Sequence, residues 1–517
     1  MVVVRTYTRR GLLVVGALGA VSACTSEDPT SPQPRPTPSG STSSTSGSTG
    51  PGRAGWAQLR RSVSGSLVRP ADPTYDQVRL LENPRYDGQR PLAVLVVASA
   101  ADVATGLSFA QEHDLPIAIR SGGHSYPGWS GGGSPRALVI DCRPLAQVRL
   151  EGSTATIGAG AALARVYDAI GSRGRAVAGG SCATVGIGGL ALGGGVGVLT
   201  RAMGLTCDAV TSMRVVTADG RVRTASADEE PDLYWALRGG GGGHLGVVTS
   251  FDLGTAPAPT LHTVYLQWPI SAAPRVIEAW QQWAPGADER LWSTLKALGG
   301  GRHPDGPILL LSGTWTGPAA ALDAQLAGLL DHVPAPAVRA DHTRGYLDAM
   351  LSYAGCASIP VDRCTTGPGG SLTREAFGAT SHVMYDELGP SGIGDLLDRV
   401  DAAQSSGLLE AGISLDALGG RVRDLAPGDT AFVHRDALAT VQYTATFPPG
   451  TPGAADRYVR GFRAAMLPHW GNHAYVNYAD PTIRDYRTAY FGANAERLAQ
   501  VRSAYDPDHV FSQPQDF

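Results

Sequence analysis

"PLAVLVVASAADVATGLSFAQEHDLPIAIRSGGHS" (residues 91–125) lays out a strand, a helix, a strand and a glycine turn in succession. Ala93–Val97 is a short apolar, β-branched run, Asp102–Glu112 has helical spacing, and Pro116–Arg120 alternates as a strand does. The turn that follows ends on a lone histidine, His124, behind a Gly-Gly pair. Outward from here the pattern repeats. RALVIDC and ATIGAG read as strands, and ALARVYDAIGSRG as a helix closed by glycine. DLYWALRGGGGGHLGVVTSFDL reads as a helix end, a glycine stretch and a strand. This alternation, to about residue 255, indicates an α/β or α+β unit.

Residues 256–474 have a different texture. HTVYLQWPI, GPILLLSGTWTG, SHVMYDEL and ALATVQYTATF read as strands, separated by amphipathic stretches such as AALDAQLAGLLDHV. They predict an antiparallel sheet covered by helices. The last segment, from Ala474, predicts a strand, a helix over Asn494–Tyr505 and an extended tail.

The most glycine-rich stretch, GGSCATVGIGGLALGGGVGVLTRAMGLTCDAV (residues 179–210), is too rich in glycine for a helix or regular strand. Thr184, Val185, Ile187, Leu190 and Leu192 alternate with the glycines, which is unlike a flexible linker. Backbone N–H groups in such loops suit the phosphates of a cofactor. Two other glycine patterns carry less. GGGHLG (241–246) matches a dinucleotide fingerprint, but it lies between a helix and a strand, the reverse of the Rossmann order. GWSGG (128–132) matches a nucleophile elbow at Ser130 but is followed by more glycine instead of a helix. A serine hydrolase using Ser130 is the remote alternative, and a binding lipoprotein without turnover is another.

Bulk properties narrow the partners. The 517-residue chain has a net charge of −4, with 43% hydrophobic and 17% charged residues. That balance gives no reason to expect nucleic acid or an anionic membrane surface as partner. Lys296 is the only lysine, which reads as base composition, and no Gly-Lys-Ser/Thr triplet exists for a P-loop. No C-x-x-C or H-E-x-x-H occurs, so no metal site is expected. At the N-terminus, TRRGLLVVGALGAVSAC places Arg9 and Arg10 before an apolar run. It predicts a Tat-type signal over residues 1–24 with lipidation at Cys24, or else plain secretion after cleavage near Ala23. Residues 25–55, nearly all Ser, Thr, Pro and Gly, predict a disordered tether. In an oxidising compartment Cys356 and Cys364 are close enough in sequence for a small disulfide loop, while Cys142 and Cys207 stay undecided.

Together RSGGHS, GxCxxVGxGGxxxGGGxG and the tail NYAD...YFGANAERLAQVRSAYDPDHVF resemble the berberine-bridge-enzyme-like flavoprotein oxidases of the vanillyl-alcohol-oxidase, PCMH-type FAD-binding superfamily. The likeness rests on three motifs in order from about Pro91 to the C-terminus. It implies an α+β fold: a two-part FAD-binding domain (56–255, core about 87–255), a substrate domain (256–474) and a C-terminal segment (475–517) returning to the first. It implies a bicovalent FAD, with His124 on the 8α-methyl and Cys182 on C6. Arg120, Ser121, Gly122, Gly123 and Ser125 would surround the pyrophosphate, while Val185, Gly186 and Gly189, with the glycines up to Gly197, would line the flavin. Val247 and Asn477 would also contact the cofactor. Val185, three beyond the cysteine, is the type associated with oxygen-using members. Tyr478 matches the catalytic base, and Gln442 and Asp416 match positions facing substrate. The implied reaction is oxidation of an alcohol, in a sugar or oligosaccharide hemiacetal or a glycosylated natural product, with O2 reduced to H2O2; C–N oxidation is the alternative within the family. A tyrosine of ordinary pKa near 10 is a poor base at neutral pH unless its surroundings help. Export by a Tat signal suits this expectation, because Tat transport carries proteins already folded around a cofactor, and the chain is expected to be a monomer.

Overall fold

The computed structural model describes residues 50–517; the expected signal, Cys24 and nearly all of the tether lie outside the described residues. Within them the opening strand–helix–strand stands as Ala93–Val96, Ala100–Glu112 and Ile117–Arg120. Ser99 caps the helix by accepting from the Asp102 amide at 3.2 Å. The Asp102 carboxylate in turn accepts from the Ser64, Gly65 and Ala98 amides, tying the helix start to the preceding chain.

Two small sheets make the first half. In one, Ala93–Val96 and Ile117–Arg120 flank Leu138–Asp141 in parallel, with Ser66–Val68 antiparallel at the edge. Leu138–Asp141 is buried along its whole length, as a central parallel strand covered on both faces must be. The other sheet is antiparallel throughout, in the order Val148–Glu151, Thr154–Gly158, Val247–Gly254, Val210–Val216, Val222–Ser226. Contrary to the reading of residues 179–210, Ile187–Leu192 and Thr200–Met203 are short helices. Ile187, Ala191 and Leu192 are buried in the core, and tertiary packing there overrides glycine's poor helix propensity.

The second half is one seven-stranded antiparallel sheet, in the order Val338–Gly345, Thr260–Pro269, Ile308–Trp315, Leu291–Gly299, Glu410–Ala417, Ala439–Thr446, Phe377–Met384. Strand parity gives it two unlike faces. Leu291, Leu295 and Ala297, Ile413 and Leu415, and Val441 and Tyr443 enter an apolar core. That core is shared with the helices Ala273–Trp283, Pro390–Ala402 and Pro452–Trp470. The intervening residues Trp292, Thr294, Lys296, Ser414, Asp416, Gln442, Thr444 and Thr446 face a cavity.

The halves are pinned together. Arg85 grips Asp456 with two hydrogen bonds of 3.0 and 2.9 Å, and Arg435 grips Asp208 with two of 2.8 Å. The C-terminal helix is Ala495–Tyr505, as the spacing predicts, and Arg497 bonds Asp232 while Gln513 donates to the Gly243 carbonyl. The strand expected near Ala474 is instead a 3-10 turn, Val476–Tyr478. Cys356 and Cys364 form a disulfide, whereas Cys142 and Cys207 are separate buried thiols.

Candidate active site

A cavity of about 1080 Å³ lies between the glycine loops of the first half and the open face of the seven-stranded sheet. Its floor is two loops in backbone contact. A Cβ added to Gly122 would sit 2.2 Å from the Gly186 nitrogen and 2.7 Å from the Thr184 carbonyl oxygen. Only glycine permits this approach, and it brings the histidine loop against the cysteine loop. His124 and Cys182 accordingly line the same cavity, and the Cys182 side chain is exposed to it.

His124 is oriented by its neighbours. Its Nε2 is 2.9 Å from the Thr184 hydroxyl and 4.0 Å from the Glu82 carboxylate, which itself accepts from the Thr366 hydroxyl at 2.7 Å. Burial holds the imidazole below its ordinary pKa, and Glu82 opposes that only in part. Loss of bulk water within the cavity also pushes the Cys182 thiol up, with the Lys296 charge pulling the other way. Glu82, Thr366 and Lys296 have no local sequence signal. They arrive from separate segments, and tertiary proximity alone reveals them.

Opposite lies an aromatic and polar wall. The rings of Tyr478 and Tyr126 stack at 5.4 Å with a 5° interplanar angle, and Tyr475 meets Tyr478 edge-on at 4.9 Å. Gln442 donates from its side-chain amide to the Tyr126 hydroxyl. Burial drives the Tyr478 phenol well above 10, and the charges of Tyr126 and Asp416 add to the shift. Asp416 is itself raised above the ordinary carboxylate range by burial, against the opposing pull of Lys296. Burial thus biases both groups toward their protonated forms, and of the two the Tyr478 phenol is the weaker acid, its phenolate the stronger base.

Of the cofactor residues expected from sequence, Ser121, Gly122, Gly123, His124, Ser125, Cys182, Val185, Gly186, Gly189 and Asn477 all line the cavity. Asn477 donates to the Leu190 carbonyl at 3.0 Å and to the Tyr475 hydroxyl at 2.9 Å, which fixes its position. Two expectations need correction. Arg120 does not line the cavity: its fully buried guanidinium bonds Asp141 at 2.9 Å and the Val78 and Arg79 carbonyls. Val247 points into the apolar core, and strand alternation presents Gly246 and Val248 to the cavity instead. Gly241–Gly243, set aside as a failed fingerprint, also line it. Ser130 sits in a 3-10 turn with no hydrogen-bond partner for its hydroxyl, so it has no base and the hydrolase alternative loses its nucleophile.

These residues fit FAD. Among the described residues no arginine lines the cavity, so a diphosphate there would rest on backbone N–H groups of the glycine loops. Two side chains able to form covalent bonds, His124 and Cys182, converge on it from opposed loops.

Comparison with known proteins agrees with this geometry. Residues 91–226 match the family described as an FAD binding domain, and residues 474–516 match the family described as berberine and berberine like. The chain is 30% identical over 459 residues to an uncharacterized FAD-linked oxidoreductase, YgaK, of Bacillus subtilis, covering 87% of this chain and 96% of the relative. It is 29% identical over 442 residues to the chitooligosaccharide oxidase of Gibberella zeae, covering 82% and 87%. A solved structure of the xylooligosaccharide oxidase from Myceliophthora thermophila C1 with xylobiose superposes with a TM-score of 0.78 at 26% identity, covering 90% and 98%.

Proposed function

The chain belongs to the berberine-bridge-enzyme-like FAD-linked oxidoreductases, and from that premise we propose that it is an oxidase of saccharide hydroxyls. Its flavin would be held covalently by both His124 and Cys182. A bound FAD would supply the hydride acceptor and the route for two electrons to O2, with H2O2 as the product.

The protein's own part is to position and deprotonate. Gln442, Thr444 and Ser414 offer hydrogen-bonding groups to sugar hydroxyls along one sheet face. Tyr478 receives the reacting hydroxyl's proton while its own phenolic proton passes to the nearby Asp416 carboxylate, which ends the step protonated. A phenol buried this deeply does not ionise in advance, so its proton must leave as the substrate's arrives. Val185 lines the cavity wall, where O2 would reach the flavin. One observation carries the reading: the paired tyrosines, Asp416 and Gln442 face the same cavity as His124 and Cys182. Two of the relatives are named as oligosaccharide oxidases, which favours a sugar over an amine. The proposal includes Tat-type export, with a lipid anchor at Cys24 or secretion, and action as a monomer.

The test is peroxide release from purified enzyme across mono- and oligosaccharides, glycosides and amines. Saccharide-dependent peroxide is expected; turnover of amines alone would overturn the reading.

A further inference from the structure

Glu82 lines the cavity as a carboxylate without an arginine or lysine partner. Among the described residues its one partner at salt-bridge distance is His124, whose Nε2 lies 4.0 Å away. Backbone and side chain both fix its place. The Glu82 N–H donates at 3.2 Å to the carbonyl of Gly123, the residue before His124. The Glu82 carbonyl accepts from Arg374 Nε at 3.2 Å, and its carboxylate accepts from the Thr366 hydroxyl at 2.7 Å. A partly buried charge held this firmly beside a histidine calls for a reason.

The imidazole is engaged on one side only. The Thr184 hydroxyl lies 2.9 Å from Nε2, the nitrogen that Glu82 faces. Nδ1 has no hydrogen-bond partner among the described residues, and the side chain, 24% exposed, lines the cavity. A negative charge beside Nε2 favours the tautomer that carries the proton there, which leaves the lone pair on Nδ1. Burial holds the ring in its neutral, nucleophilic form near pH 7. Once a bond forms at Nδ1 the ring becomes a cation, and Glu82 is then its counterion.

We propose that Glu82 is the positioning residue for the covalent bond between His124 and FAD: it keeps the imidazole proton on Nε2, leaves Nδ1 free to bond the 8α carbon, and balances the charge the ring then gains. The inference rests on the covalent-flavin reading and assigns a residue to the making of one of its two bonds. The reaction balances as FAD, His124 and O2 giving the linked flavin and H2O2. The 8α carbon exchanges a C–H bond for a C–N bond, carbon and imidazole each release one proton, and the electron pair passes through the flavin to O2. The help is confined to one anchor. At Cys182 the Glu82 charge adds to the loss of bulk water in raising the thiol, which opposes thiolate attack.

The test isolates each anchor in the full-length protein, reading total flavin by absorbance and covalent flavin by acid precipitation. In Cys182→Ala, where His124 is the single anchor, adding Glu82→Gln keeps an acceptor for Thr366 and removes the charge. Total flavin is expected to stay at wild-type stoichiometry. Its conversion to the acid-stable form, followed over time in buffer containing FAD, should slow on the order of 100-fold. Glu82→Asp in the same background should restore most of that rate. In His124→Ala, where Cys182 is the single anchor, Glu82→Gln should not lower the acid-stable flavin. An unchanged rate, an Asp variant no faster than Gln, loss of total flavin, or an equal loss in both backgrounds would each overturn the proposal. Cys182→Ala without any acid-stable flavin would refute the two-anchor reading itself, and the role of Glu82 with it.

Discussion

Replacing Gly122 by alanine is the sharpest structural perturbation of this site. The new Cβ would lie 2.2 Å from the Gly186 nitrogen, 2.7 Å from the Thr184 oxygen and 3.0 Å from the Gly186 Cα. All three are backbone atoms, so no side chain can rotate away. Reaching an ordinary contact of 3.4 Å from 2.2 Å requires the two loops to part by about 1.2 Å. Overpacking of this kind costs about 1–3 kcal/mol of stability. The larger effect is on geometry, because the loops that separate are the ones carrying His124 and Cys182. A displacement of about 1 Å at reacting groups costs on the order of 100-fold in rate. Gly122→Ala should therefore fold but carry flavin through one bond or none. The assay is the ratio of flavin to protein absorbance before and after acid precipitation, alongside a thermal melt. Wild-type stoichiometry and full covalent retention in a folded Gly122→Ala protein would refute the close-contact argument.

Three further outcomes follow from the site and its surroundings. Tyr478→Phe should lower kcat about 10²–10⁴-fold with the flavin retained, which steady-state peroxide assays and absorbance spectra check together. Asp416→Asn keeps the size of the side chain and removes its charge. Because burial raises the Asp416 pKa, wild-type activity should fall as pH drops through a value above the ordinary carboxylate range, and this acidic limb should vanish in the variant. His434 is held neutral, pushed down to about 4, accepting from the Tyr385 hydroxyl at Nδ1 and donating from Nε2 to the Ala474 carbonyl. Its folded pKa lies below the unfolded value of 6.5, so stability is full above that value and is lost as pH falls toward about 4. Denaturant unfolding at pH 7 and 5 should differ by roughly 2 kcal/mol from this residue, and His434→Gln should remove that share.

Much of this architecture could be read from short-range patterns. The strands and helix of residues 93–120 and the alternating strands of the large sheet follow from which side chains must leave water. Parity then placed Asp416 and Gln442 on the cavity face, since their neighbours Leu415 and Val441 belong to the core. The glycine loops were legible as a cradle because their apolar residues had to pack somewhere. What escaped depends on distance along the chain. Arg120 stood at the right place in a motif, but its charge is satisfied by Asp141, 21 residues on. Val247 missed by one residue, which in a strand reverses the face. Lys296 has no motif around it, and Tyr126, two residues past His124, acquires meaning only by stacking on Tyr478 from the far end of the chain.

The central claim is that His124 and Cys182 clamp one flavin from two loops. Acid precipitation of wild-type protein, His124→Ala, Cys182→Ala and the double variant tests it directly. The account predicts a yellow pellet from wild type and from each single variant, and a colourless pellet with free flavin in solution from the double variant. Free flavin from the wild type, or a yellow pellet from the double variant, would contradict it.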